Sequence, residues 1–322
     1  MPKLEIHPFS EEHLDEAARL LAQRHQRHRA FEPLLPGRFE DPSAALGEVE
    51  AVWGAERASG SVGFRAGDLV GYLVGAPRNT DVWGENVWVD YAGHSVVEAE
   101  DVRDLYAAAA ARWVDEHATN HYVLVPTFDD ALVNAWFRLG FGQQQGHGLR
   151  EVATGAADQL PAGLEIRNPT AADVDSLVEV DLALPRHQRS SPVFSTRPLP
   201  TEQESRAEWT RTLAAGEEEL LIGCLDGKPV ACWSLVEGGR SSYFQGLARP
   251  EHACYLGFAA TVPEIRGSGI GVALTEASFA WAAESGYTSM GTDWRVTNLL
   301  ASRFWPRRGF RTTFVRLYRH IP

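Results

Sequence analysis

The sequence predicts a mixed α/β protein built as two tandem copies of one domain, each a mixed, mostly antiparallel twisted sheet flanked by helices. Segments recur at a nearly constant offset, and both halves show the same order of strand-length and helix-length patterns. Between them lies a stretch rich in Ala, Gly and Pro, ATGAADQLPAG. The expected division is a first domain at 1–152, a linker at 153–162 and a second domain at 163–322.

In order, Leu4-Glu5-Ile6 returns as Leu164-Glu165-Ile166 at an offset of 160, each followed by a proline and an acidic segment of helix-starting character. Arg24-His25-Gln26-Arg27 returns as Arg186-His187-Gln188-Arg189 at 162. A hairpin pattern with Val62, Gly63 and Val70 reappears with Ile222, Gly223 and Val230 at 160. Both hairpins carry turn chemistry, Ala66-Gly67-Asp68 and Asp226-Gly227-Lys228. Trp113 and Glu116, on an alanine-rich helix, match Trp281 and Glu284 at 168, and Trp136 through Phe141 match Trp305 through Phe310 at 169. The drift of nine is what small loop insertions produce. Each half therefore reads strand, helical region, hairpin, strand, helix, strand, helix, strand.

The 322 residues give room for two ordinary cores, and 44% hydrophobic with 23% charged residues is the composition of a soluble globular chain. No apolar run approaches the ~20 residues that cross a bilayer, and MPKLEIHPFSEEH has the character of neither a signal nor a transit peptide. The expectation is a cytoplasmic protein with no membrane partner. Cys224, Cys232 and Cys254 sit in apolar strand-like runs and read as buried reduced thiols rather than a disulfide framework or a metal site. A net charge of -13 points away from nucleic acid and towards a basic or amine-bearing substrate.

The chemistry concentrates in Ala253 to Leu274, ACYLGFAATVPEIRGSGIGVAL. A strand-length apolar run, Tyr255 to Val262, passes through Arg266-Gly267-Ser268-Gly269-Ile270-Gly271 into a helix-forming segment. Glycine reaches φ > 0 and lets successive backbone N–H groups turn to one point, at a helix end whose first amides are unpaired. The result is an anion cradle suited to phosphate or pyrophosphate. A plain surface turn needs fewer glycines. A dinucleotide fingerprint needs Gly-x-Gly-x-x-Gly early in a βαβ unit with an acid about twenty residues on, and a kinase-type phosphate loop needs Gly-Lys-Ser/Thr; neither is present.

These residues resemble the GNAT superfamily of acyl-CoA-dependent N-acyltransferases. Its signature Gln/Arg-x-x-Gly-x-Gly/Ala is met by Arg266, Gly269 and Gly271, and a second, Asn-x-x-Ala-x-x-Phe-Tyr-x-x-x-Gly-Phe, is met downstream by Asn298, Ala301, Phe304, Gly309 and Phe310, with Trp305 in the tyrosine's place. The resemblance implies two GNAT-type domains and acetyl-CoA as donor substrate, with no metal. It places backbone groups of Ala260, Thr261 and Val262 on the pantetheine arm and thioester, on a strand that splays from its neighbour. It puts the amides of Arg266, Gly267, Ser268, Gly269, Ile270 and Gly271 on the pyrophosphate, with Asn298, Phe304 and Trp305 on the opposite side. The acyl group would pass directly to an amine without an acyl-enzyme, which leaves Cys254 in the core. Ala259 and Ala260 are small enough for an acetyl group without excluding longer chains.

Catalysis is open at two points. The proton acceptor is Glu251, at the entrance of the central strand, or Asp293, closing the next one, with His252 a weaker candidate. Indole cannot donate a proton as the family's tyrosine does, so thiolate leaves unaided or Tyr318 or Ser302 supplies the proton. The acceptor is a small-molecule or peptide amine, bound beside PRHQRSSPVFSTRPLP, where Arg186, His187 and Arg189 recognise an anionic group or turn the chain, and Phe194, Trp209 and Tyr243 line a pocket or pack.

The first half departs where it matters. The offset of 168 sets Glu98 against Arg266, Asp101 against Gly269 and Arg103 against Gly271, so carboxylates stand where pyrophosphate would lie. It reads as a degenerate copy that binds no CoA. Two function classes follow: an acyl-CoA N-acyltransferase, or a non-catalytic acyl-CoA-binding sensor or assembly module. The oligomer is a monomer or homodimer, and Thr312 to Tyr318 pairs between subunits or with the first domain.

Overall fold

The computed structural model describes residues 2–152 and 160–322; most of the expected linker, 153–159, lies outside the described residues. The chain runs β1 (Glu5–Pro8), α1 (Leu14–Phe31), α2 (Pro42–Trp53), β2 (Ser59–Arg65), β3 (Asp68–Gly75), α3 (Thr80–Trp83), β4 (Asn86–Val89), β5 (His94–Val96), α4 (Asp101–Asp115), β6 (Asn120–Pro126), α5 (Asp130–Phe137) and β7 (Gly142–Glu151). It continues through β8 (Leu164–Arg167), α6 (Val174–Arg189), α7 (Glu202–Ala215), β9 (Glu219–Leu225), β10 (Lys228–Glu237), β11 (Ala253–Thr261), α8 (Ile270–Glu284), β12 (Ser289–Arg295), α9 (Leu299–Arg307) and β13 (Arg311–His320).

Two compact units result: residues to His147 with Gly246–Pro250 and Thr312–Pro322, and Gly148–Gln245 with Glu251–Arg311. The chain therefore does not divide as a single cut at the linker would have it, because β13 from Thr312 on lies in the first unit. There Phe314 to His320 pair antiparallel with Pro126 to Asn120 of β6. Val315 and Leu317 are buried among Val123, Val125 and Trp136. An uncovered β6 edge would leave a row of backbone groups unpaired, and the last strand supplies their partners.

Both units carry an antiparallel hairpin and a parallel strand pair, but the first departs from the predicted order in having α3 and two short strands, β4 and β5, where the second has β11. In the first, β2 and β3 form an antiparallel hairpin whose register slips at Gly63/Phe64, and β4 runs parallel to β6 from Asn86↔Asn120 to Val89↔Val123. In the second, the β9–β10 hairpin slips at Pro229/Ala231, and β11 runs parallel to β12 from Ala253↔Ser289 to Leu256↔Thr292. Every residue of β10 from Pro229 to Leu235 is buried, which requires cover on both faces; α6 and α8 both pack on it. The second core gathers Leu177, Ile222, Trp233, Leu274, Phe279, Trp305 and Phe310.

Helix ends are set locally. Thr201 and Glu204 form a reciprocal capping box at α7, and Gly216 closes that helix in the left-handed region at φ 60°. No helix among the described residues is long and apolar enough to cross a membrane.

Candidate functional site

The second unit's site begins where β11 and β12 part. Their parallel register ends at Leu256↔Thr292, while β11 continues to Thr261. On its other edge β11 stays with β10: a bulge at Ser234/Leu235 absorbs Gly257, and pairing resumes from Ser234↔Phe258 to Ala231↔Thr261. Residues beyond Gly257 thus keep one edge in the sheet and release the other. This is the splay that the resemblance implies.

From Thr261 the chain makes one turn of 3-10 helix, Pro263–Ile265, and enters α8 through Gly267 at φ 83° and Gly269 at φ 89°. Gly269 is the N-cap, in a left-handed conformation that side chains disfavour, and among the described residues no side chain caps the first turn. The first-turn amides of a 15-residue helix are left for a ligand, and that turn carries no acidic residue.

Opposite this end stands α9. Asn298 is its N-cap, 5% exposed, its Oδ1 accepting from the amides of Leu300 at 3.2 Å and Ala301 at 3.3 Å. His187 of α6 makes a third bond to the same oxygen, through Nε2 at 3.2 Å. Trp305, 6% exposed, is wedged edge-on between Phe304 and Phe310.

These elements enclose a cavity of about 380 Å³. Of the residues expected at the donor site, Ala260, Thr261, Arg266, Gly267, Gly269, Gly271, Asn298, Phe304 and Trp305 line it. Three do not. Val262 is buried and its amide donates to Val230 at 2.9 Å; Ile270 is turned into the core, and Ser268 is exposed outside the lining. The lining also includes Leu184, Trp233, Ile265, Val272 and Leu300, which the sequence reading did not single out. They come from five different places in the chain, and their apolar character there is indistinguishable from ordinary core. His187, read as an acceptor or turn residue, is the one imidazole of the lining.

The two expected proton acceptors separate. Glu251 is exposed on the turn before β11 and does not line the cavity. Six residue steps, roughly 20 Å at about 3.3 Å per residue, divide Ala253 from Ala259; the carboxylate is at the other end of its strand from the cavity. His252, at φ 52°, shares that turn. Asp293 also lies outside the lining, but it is the first β12 residue beyond the last β11–β12 pair, at the fork itself. There it accepts a hydrogen bond from the hydroxyl of Tyr255, whose ring stacks on Phe244 at 5.2 Å.

The other candidates fall away from the cavity. Tyr318 belongs to the first unit, donating to Asn120 Oδ1 at 3.0 Å and lying 5.0 Å from the Tyr122 ring. Ser302 is on α9 outside the lining. Arg186, Arg189 and Phe194 are exposed, while Trp209 is buried near Phe258. Tyr243 is half-buried and outside the lining. The three cysteines are free and buried, and burial pushes the Cys254 thiol up to about 12, against a nucleophile's role.

Residues 185–310 match the model of the Acetyltransferase (GNAT) family. No curated protein matches the chain in sequence. Among solved structures, a GCN5-related N-acetyltransferase from Sphaerobacter thermophilus is similar in fold at 13% identity and a TM-score of 0.57, covering 98% of this chain and 95% of its own. The glucosamine N-acetyltransferase region of a fungal multi-domain β-N-acetylglucosaminidase is similar at 14% identity and a TM-score of 0.55, over 99% of this chain and 38% of that longer one. The chain has the fold of these N-acetyltransferases, and its residues 185–310 carry the match to the GNAT family model.

Proposed function

We propose that the protein is an acyl-CoA-dependent N-acyltransferase, with acetyl-CoA as donor, that passes the acyl group directly to an amine in a ternary complex. One observation carries the reading: the parted edge of β11, the uncapped glycine entry of α8 and the α9 N-terminus open on a single cavity. A pyrophosphate fits the α8 end and a pantetheine arm fits the released strand edge. Holding amine and thioester in register supplies most of the acceleration, roughly 7 to 11 kcal/mol. Asp293 at the fork takes the proton that the attacking amine loses, with Tyr255 orienting its carboxylate.

In this reading the first unit binds no CoA. At the start of α4, Asp101 is buried against Arg65 at 2.7 Å, and Glu100 pairs with Arg103 and Arg138. Titration calorimetry of acetyl-CoA into the intact protein and into a Gly269→Glu, Gly271→Glu variant tests both claims. One site, lost in the variant, is expected; two sites, or one that survives, would overturn the division of labour.

A further inference from the structure

The family's tyrosine is replaced by Trp305, and neither Tyr318 nor Ser302 reaches the cavity, so the departing thiolate lacks a proton donor among the groups considered so far. Among the described residues two ionisable side chains line the cavity, His187 and Arg266. Arg266 does not release a proton at neutral pH.

His187 is held by a constraint that fixes its chemistry. Asn298 Oδ1 accepts two backbone amides of α9, so it acts as an acceptor and cannot donate to the imidazole. The bond to His187 therefore runs from Nε2–H to Oδ1. Nε2 is committed in either charge state, and Nδ1, which has no hydrogen-bond partner among the described residues, is the atom left to exchange protons. His187 lies in the last turn of α6. The charged groups around it are Arg186 and Arg189 on its own turn and Arg266 in the cavity lining; among the described residues no carboxylate lines the cavity.

We propose that His187 is the general acid of this site. The amine nitrogen bonds to the thioester carbonyl carbon and yields its proton to Asp293. The C–S bond breaks with its electron pair on sulfur, and the proton on His187 Nδ1 moves to that sulfur, leaving neutral imidazole with Nε2–H still on Asn298. The assignment rests on the acyl-CoA reading above.

The first test needs no acceptor: the His187 imidazole of the full-length protein is titrated by ¹⁵N NMR with saturating CoA and with saturating desulfo-CoA. Both should bind, and only CoA should move the Nδ1 resonance and the titration midpoint. Identical responses would overturn the assignment, whereas failure of either to bind would remove the acyl-CoA reading and this inference with it. The second test is His187→Gln, which keeps an N–H for Asn298 but carries no transferable proton. With acetyl-CoA and small primary amines, kcat should fall about 10²-fold, with loss of the decline at high pH and little change in KM for acetyl-CoA. A change in KM alone, with the pH profile kept, would make His187 a positioning residue and sink the proposal.

Discussion

At the start of α8 the chain passes through Gly267, Gly269 and Gly271 and leaves the first amides of the helix to a cavity; at the start of α4 it passes through Glu98, Glu100 and Asp101, and arginines fill the space. The opening between strands differs in the same way. In the first unit the counterpart of β11 is broken into β4 and β5, and His94 on β5 bridges the gap by donating from Nε2 to the Leu124 carbonyl of β6 at 3.1 Å. Arg24 of α1, 2% exposed, donates to the carbonyls of Tyr91 and His94. Arg186, its counterpart on α6, is exposed. One tetrapeptide, Arg-His-Gln-Arg, thus plugs a cleft in one copy and borders a cavity in the other.

The broadest consequence concerns pH. Burial holds five imidazoles of the first unit well below their ordinary 6.5: His25 and His121 at about 4, and His28, His94 and His147 at about 3, with the Arg24 charge adding to the effect at His28 and His94. The unfolded chain takes up protons that these folded imidazoles refuse. Their contribution is therefore complete above 6.5 and lost as pH falls towards 3 to 4. At pH 5 each costs the fold on the order of 2 kcal/mol. The second unit has two histidines, half-buried His187 and exposed His252. Hydrogen exchange at pH 5 against pH 7 should show β4 and β6 losing protection while β9 to β11 keep it; equal loss in both would break the contrast.

Next in size is the cradle. Carboxylates placed at 269 and 271 oppose pyrophosphate as Glu98 and Asp101 would, and acetyl-CoA affinity should fall at least about 10³-fold, a cost of several kcal/mol. A thermal melt of the same variant separates lost binding from lost folding, since Gly269 at φ 89° is strained by any side chain.

Smaller effects separate the two tetrapeptides. Arg24→Met should destabilise the protein by about 2 to 3 kcal/mol, because two buried carbonyls lose their donor, without creating a second acetyl-CoA site. Exposed Arg186→Met should stay within about 0.5 kcal/mol. Denaturant melts measure both, and similar costs would mean that the two segments share one role.

Much of the site was legible in sequence because its chemistry is local. Gly269 serves a backbone angle, Asn298 caps the helix that follows it, and Asp101 opens α4 with a carboxylate where α8 has glycine. The repeated hairpins and the paired Trp136 and Trp305 made the duplication readable for the same reason. Glu251 misled because its place beside the central strand says nothing of which end of that strand opens. Leu184 and Trp233 were silent because an apolar residue facing a ligand and one facing the core have the same pattern.

The sequence by itself determined that a glycine turn feeds a helix in the second half, that carboxylates replace it in the first, and that the parts recur in one order. Only the tertiary structure decided that β13 completes the first unit, that Asp293 rather than Glu251 stands at the fork, and that His187 shares an oxygen with the cap of α9. The physical reason is range. Backbone angles and caps are set within a few residues, whereas a fork depends on partners 36 residues apart, and a strand edge or an imidazole tautomer on partners more than a hundred residues away.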